Sequence, residues 1–324
     1  MDERRWNRAV ITGGAGFVGS HLCERLLAEG CEVVCVDNLV TGSRANVAPL
    51  ERHPGFVLLQ ADVTRTGLLE GIAGPVDLVL HLACPASPAD YLRLPIQTLE
   101  AGSSGTRAAL ELARREGARF LFTSTSEVYG DPLEHPQREQ YWGNVNPIGP
   151  RSVYDESKRY AEALVTAYRR THGTDTAIVR LFNTYGPRMR AGDGRAVPTF
   201  IRQALDGEPL TVAGDGSQTR SLTYIDDTVD GILALAASGL PGPVNIGSDE
   251  ETSMLDLAQR IVGLTGSAST VRFVDRPVDD PAKRRPDTST ARRELGWEPR
   301  VDCAEGLKRT VEWFMRSLVP GPGA

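Results

Sequence analysis

Apolar residues along this chain follow two rhythms. Short apolar runs at 8–12, 32–36, 56–60, 77–82, 119–124 and 176–181 lack polar alternation, as strands covered on both faces do. Between them, segments 16–29, 95–116 and 153–172 place apolar residues three and four apart, the spacing of one helix face. The last two are long enough to pack together or against a partner subunit. Six strands spaced by helices predict an α/β fold, a doubly wound parallel (Rossmann) sheet. Past Asn183 the pattern changes to Gly/Pro-punctuated loops with shorter helices, and stretches 187–194, 213–218 and 275–287 carry much of the loop chemistry. The expected organisation is a nucleotide-type domain, 1–182 with about 223–248, and a smaller C-terminal substrate-binding domain, 183–222 with about 249–324. Only residues 320–324 read as frayed.

Composition narrows the partners. With 324 residues, 40% of them hydrophobic, the chain can bury a substantial core without disulfide staples. Its 36 basic side chains against 42 acidic ones give a formal charge of −6, and no basic run offers a surface for nucleic acid or an anionic membrane. The charged start at 1–8 lacks a signal peptide's apolar centre, and nowhere do about 18 apolar residues run together, so a cytoplasmic protein without a membrane span is expected. Five cysteines, odd in number and without a C-x-x-C pair, point to reduced thiols, with neither a disulfide frame nor a metal site. Only three of the basic residues are lysines: Lys158, Lys283 and Lys308.

Two clusters carry chemistry. After the first strand comes TGGAGFVG, in which Gly13, Gly16 and Gly19 form G-x-x-G-x-x-G and lead through Phe17 and Val18 into a helix. Glycine there lets the backbone approach a pyrophosphate lying on the positive end of the helix. The second strand ends at Asp37, 24 residues after Gly13, where a carboxylate meets ribose hydroxyls and repels a 2′-phosphate, favouring NAD over NADP. Asn38 turns the following loop. On this fold Asp62 and Val63 face the adenine, and Leu82 and Ala83 the nicotinamide ribose. The second cluster is Tyr154 and Lys158, four apart on one helix face, where an ammonium beside a phenol lowers the tyrosine pKa towards a base's range. The strand end TSTSE at 123–127 adds hydroxyls and a carboxylate at the sheet's carboxyl edge. His81 and His172 read as structural.

With these residues, and with the longer stretches HLACPASP (81–88), TSTSEVYG (123–130), YWGNVNPIG (141–149), FNTYGPRM (182–189) and DDPAKRRPD (279–287), the sequence resembles the extended short-chain dehydrogenase/reductase family. Within it, the resemblance is to the UDP-glucuronate decarboxylase branch, and it spans Val10 to about Phe314. It implies a bound NAD that is reduced and reoxidised in each turnover, UDP-glucuronate or a related nucleotide sugar as substrate, and a homodimer packed through two helices per subunit. By position, Tyr154 is the base for the sugar 4-hydroxyl, Lys158 lowers its pKa and holds the nicotinamide ribose, and Thr125, with Ser126 beside it, orients the 4-oxygen. Glu127 and Arg284 match the residues around the substrate carboxylate. Arg220 matches the phosphate-binding arginine, with Asn183 and Arg188 on a further substrate loop and Pro85 and Tyr91 after His81. Ala213 departs from the pattern, since relatives commonly carry an aromatic there; Phe200 and Leu210 remain as apolar lining. The alternatives on the same scaffold are a nucleotide-sugar 4,6-dehydratase, in which Asp would stand where Ser126 does, a 4-epimerase, which has no need of Arg284, and a non-catalytic NAD-binding regulator.

Overall fold

The computed structural model describes residues 6–276, 281 and 283–318; the expected frayed end at 320–324, and Asp279, Asp280 and Ala282 of the family stretch, lie outside the described residues. The six apolar runs form β1 (Arg8–Thr12), β2 (Glu32–Asp37), β3 (Phe56–Gln60), β4 (Leu78–His81), β5 (Arg119–Thr125) and β6 (Thr176–Leu181). Shorter strands follow: β7 (Thr184–Tyr185), β8 (Leu210–Ala213), β9 (Thr219–Ser221), β10 (Thr223–Tyr224), β11 (Val244–Ile246), β12 (Glu251–Ser253), β13 (Val271–Val274) and β14 (Lys283–Arg284). The main sheet is parallel throughout, in the order β11–β6–β5–β4–β1–β2–β3. It holds one strand more than the six expected, because β11, too short for a periodicity signal, pairs with β6 at Val244 and Val179.

Alternate residues of each strand feed two cores. Ala9, Ile11, Leu78, Leu80, Leu121 and Val179 join one, and Val10, Val79, Phe120, Phe122 and Ile178 the other. The first core is covered by α1 (Phe17–Ala28) and α8 (Ile225–Ala237), the second by α5 (Thr106–Glu116) and α6 (Ser152–His172). Between α1 and α5 come α2 (Arg44–Val47), α3 (Pro88–Arg93) and α4 (Pro95–Glu100); α7 (Ala196–Leu205), α9 (Met254–Thr265) and α10 (Cys303–Leu318) complete the chain. Helix α6 closes on Gly173 in the left-handed conformation, behind Arg169, Arg170 and His172 in its last turn, a stop that satisfies the helix dipole as well as the backbone.

The single helix expected over 95–116 is two α-helices joined by a π-helical turn, Ala101–Gly105. A glycine-rich turn fits here because α6 comes close: a Cβ on Gly102 would lie 2.7 Å from that of Ser157. In the C-terminal part, β8 pairs with β13, and β9 lies between β12 and β14, with Arg284 directly beside Arg220 in the β14–β9 register.

Candidate active site

A cleft of about 1520 Å³ opens at the carboxyl ends of the main strands, where parallel α/β sheets take their ligands, with room for more than one. At the β1 end the glycine loop admits no side chain. Gly13 has φ +72°, and a Cβ there would lie 2.8 Å from the Ala83 amide nitrogen; one on Gly19 would lie 2.2 Å from the Gly13 carbonyl. The bare backbone leads into α1 through Gly16 as its N-cap, so a pyrophosphate could meet amides and the positive helix end directly. Asp37 ends β2, buried, accepting from the Ala15 and Leu39 amides at 2.9 and 2.8 Å; burial pushes its carboxyl up while those bonds pull it down. Phe17, Val18, Asn38, Asp62, Val63, Leu82 and Ala83 line the same stretch of cleft, and Asn38 bonds Asp62 at 2.8 Å. These residues fit NAD.

The catalytic candidates meet where β5 ends against α6. Thr125, Ser126, Tyr154 and Lys158 are buried and line the cleft. Tyr154 stacks on Tyr91, ring centroids 5.3 Å apart and planes within 6°. The expected lowering of the tyrosine pKa is not what this arrangement produces. Burial, then the nearby Cys84, pushes the Tyr154 phenol well above its ordinary range, against a hydrogen bond with Thr125. Lys158 Nζ donates to the Thr123 carbonyl at 2.8 Å and stands 5.8 Å from the Tyr154 ring centroid; burial in turn lowers the lysine. His81 is structural, as expected: Thr12 and Thr106 flank its ring at 2.7 and 3.1 Å, and burial holds it neutral, lowered to about 3.

Beside them lies a buried ion-pair chain. Arg284, 2% exposed, donates one Nη to Glu127 and the other to the Gly130 carbonyl at 2.8 Å, and Arg151 donates to the second Glu127 oxygen at 2.7 Å. Burial would push the Glu127 carboxyl up, but Arg284 and Arg151 bring it down to about 2. Arg284 thus belongs to the site and not to a solvated loop: β14 pins it beside Arg220, which also lines the cleft.

The remaining substrate candidates divide. Pro85, Tyr91, Asn183 and Arg220 line the cleft, and the Asn183 amide nitrogen and the Tyr91 hydroxyl are buried without hydrogen-bond partners. Arg188 lines it too, but pairs with Glu24 of α1, on the side of the glycine loop. Phe200 and Ala213 contribute lining; Leu210, expected there, is fully buried in the core, because alternation along β8 turns Thr211 and Ala213 to the cleft instead. All five cysteines are free thiols, and Cys84 lines the cleft. Among the described residues no cluster of His, Cys, Asp and Glu is arranged to hold a metal ion.

Sequence reasoning passed over Arg151 and Asp155, which flank Tyr154, and the Asp193–Arg195 pair, bonded at 2.7 Å and lining the cleft. Nothing in their spacing distinguishes them from ordinary surface charges.

Residues 9–247 match the model of the NAD dependent epimerase/dehydratase family. The chain belongs to this family. It is 49% identical to UDP-glucuronic acid decarboxylase 1 of Arabidopsis thaliana, over 98% of this chain and 72% of that protein, and 51% identical to UDP-glucuronic acid decarboxylase 3 of the same plant, over 97% and 91%. Its fold superposes on UDP-glucose 4-epimerase from Thermotoga maritima, solved with UDP-glucose, with a TM-score of 0.89 at 30% identity, covering 96% of this chain and all of that one. UDP-glucuronic acid 4-epimerase from Bacillus cereus, solved with UDP-glucuronic acid and NAD, gives 0.86 at 30% identity, covering 95% and 99%. NAD is the cofactor of this family, and the glycine loop, Asp37 and the residues after β4 line the cleft together.

Proposed function

We propose that this protein converts UDP-glucuronate to UDP-xylose and carbon dioxide, with NAD as a bound cofactor regenerated within each turnover. The observation that carries the reading is the buried Arg284–Glu127–Arg151 chain beside Tyr154: a guanidinium held in the dark of the cleft, suited to a sugar carboxylate and of no use to a neutral hexose. The near-full-length likeness to UDP-glucuronic acid decarboxylases supports it.

NAD, when bound, supplies a hydride acceptor at sugar C4 and later returns the hydride. Tyr154 takes the 4-hydroxyl proton, with Thr125 hydrogen-bonded to it and Lys158 on the same helix face. A ketone at C4 makes the C6 acid a β-keto acid, so carbon dioxide leaves behind a resonance-stabilised enolate. The substrate carboxylate exchanges places with Glu127 on Arg284, and Arg220 and Asn183 receive the pyrophosphate. In this reading residues 1–182 with about 223–248 hold NAD, and 183–222 with about 249–324 hold the nucleotide sugar.

We further propose a homodimer, for which exposed apolar side chains on two adjacent helices speak: Ile96 and Leu99 of α4 and Tyr160 of α6. No helix among the described residues is long and apolar enough to cross a membrane; a cytoplasmic site of action remains part of the proposal.

The test is incubation of the purified protein with UDP-glucuronate and NAD, following carbon dioxide and the sugar nucleotide. Release of carbon dioxide with a UDP-pentose is expected. A product that keeps all six sugar carbons would make the protein a 4-epimerase, and turnover of UDP-glucose or dTDP-glucose alone would sink the decarboxylase reading.

A further inference from the structure

Arg284 is gripped at both ends by one stretch of chain. Its guanidinium donates to Glu127 and to the Gly130 carbonyl, in and just after the 3₁₀ turn Ser126–Tyr129. Its backbone is the last residue of β14, whose pairing with β9 covers only Lys283 and Arg284. From there the chain changes partner, and Gln137, from the loop beyond Gly130, takes over. The Gln137 amide donates to the Arg285 carbonyl at 2.9 Å, and the Gln137 carbonyl accepts from the Asp287 amide at 2.8 Å, a parallel bridge across Pro286.

The side chain of Gln137 completes this hold. Its Oε1 accepts from the Arg285 amide at 2.8 Å, so the residue directly after Arg284 has both its backbone N–H and its carbonyl bonded to Gln137. Proline at 286 has no N–H to offer, which leaves 285 and 287 as the amides by which this segment can be held, and both go to Gln137. The Gln137 Nε2 donates to the Glu134 carbonyl at 2.7 Å, and Asn245 of β11 donates to the Gln137 carbonyl at 3.0 Å, which ties the clasp to the edge of the main sheet. Truncating this amide would leave the Arg285 N–H and the Glu134 carbonyl without those partners. Gln137 is fully buried and is not in the wall of the cleft, so it can act on a substrate only through the segment it holds.

We propose that Gln137 is the positioning residue that gives Arg284 its grip on the sugar carboxylate, and so sets the preference for a uronate over a neutral hexose. The inference rests on the reading of Arg284 given above. A guanidinium recognises a carboxylate best through two parallel bonds in one plane, and the Nε–H of Arg284 is buried without a partner in the protein. If the backbone at 285 shifted, the guanidinium would follow, since Glu127 and Gly130 hold only its tip. The arginine assigned to the pyrophosphate is held separately: Arg220 lies on β9, which pairs on its other side with β12.

The experiment is calorimetric titration of protein loaded with NADH, so that the sugar is not oxidised, for wild type, Q137A, R284A and the double variant. UDP-glucuronate, UDP-glucose and UDP are the ligands, and the ratio of the first two affinities isolates the carboxylate. That ratio should fall about tenfold or more in Q137A, what one lost hydrogen bond is worth, while the affinity for UDP stays at the wild-type value. R284A should lose the preference outright, and Q137A added to it should lower the ratio no further, as a residue acting through the arginine requires. A wild-type ratio in Q137A, an equal loss of affinity for all three ligands, or a further fall in the double variant overturns the proposal. Should the alanine variant fail to fold, Q137M keeps the volume of the side chain without its amide and carries the same comparisons. A wild-type protein that does not prefer UDP-glucuronate overturns the carboxylate reading of Arg284 and this inference with it, whereas a variant that keeps the preference overturns this inference alone.

Discussion

At the residue scale, the site opposes two kinds of pressure. Burial raises Tyr154 and lowers Lys158, each away from its charged form. Tyr154→Phe should abolish turnover while NAD still binds, and Arg284→Ala should retain NAD yet lose carbon dioxide release by two orders of magnitude or more, about what removal of a buried charge-assisted contact costs. NAD titration beside a carbon dioxide assay checks both; undiminished release from Arg284→Ala would remove that arginine from the mechanism. His81 gives a stability prediction of definite sign. Its folded pKa, about 3, lies below the ordinary histidine value, so its contribution is complete above pH 6.5 and drains away as pH falls from there towards 3. Melts between pH 7 and 4 should decline less steeply for His81→Gln than for wild type. Most of these side chains were legible one by one. The exception was their electrical state: Y-x-x-x-K spacing gives proximity along a helix, but which carbonyl captures the lysine depends on Thr123, 35 residues upstream.

At the element scale, long apolar runs announced themselves because a strand buried on both faces has to be apolar throughout. Short strands carried no such signal. β14 has two residues, and its backbone is placed by pairing with β9, a contact between segments more than sixty residues apart. The Leu210 expectation failed for a similar reason, since the phase of alternation along β8 is set by which neighbour it pairs with. The glycine loop is the opposite case, a local element whose sequence dictates its shape. Gly19→Ala puts a Cβ against the Gly13 carbonyl, and backbone, unlike a flexible side chain, has nowhere to go. NAD affinity should fall at least about tenfold, the equivalent of one lost hydrogen bond, as read by calorimetric titration; wild-type affinity would show that the loop holds the cofactor by other means.

At the scale of the whole molecule, the doubly wound sheet could be read from alternation of elements alone, but the cleft could not. Its walls come from the loops after β1 and β4, the ends of β2 and β5, α6, β9 and β14, and which charges face one another across it follows from the fold as a unit. The homodimer prediction belongs here: Ile96→Glu, 60% exposed in the single chain, should convert a dimer to a monomer in sedimentation experiments without changing the melt of the chain itself, and a variant still dimeric would move the interface elsewhere. The π-helical turn Ala101–Gly105 bears on the same face. Its glycines abut Ser157, next to Lys158, and Val63 on the adenine side, while Thr106 just after it touches His81. The turn acts as a phase shifter in one rod: it lets α4 show Ile96 and Leu99 outward and α5 show Ala109, Leu110 and Ala113 to the sheet. Deleting one residue there would restore an ordinary helix and rotate one half against the other by about 100°, so that the exposed apolar face and the sheet face could no longer both be served by a single rod.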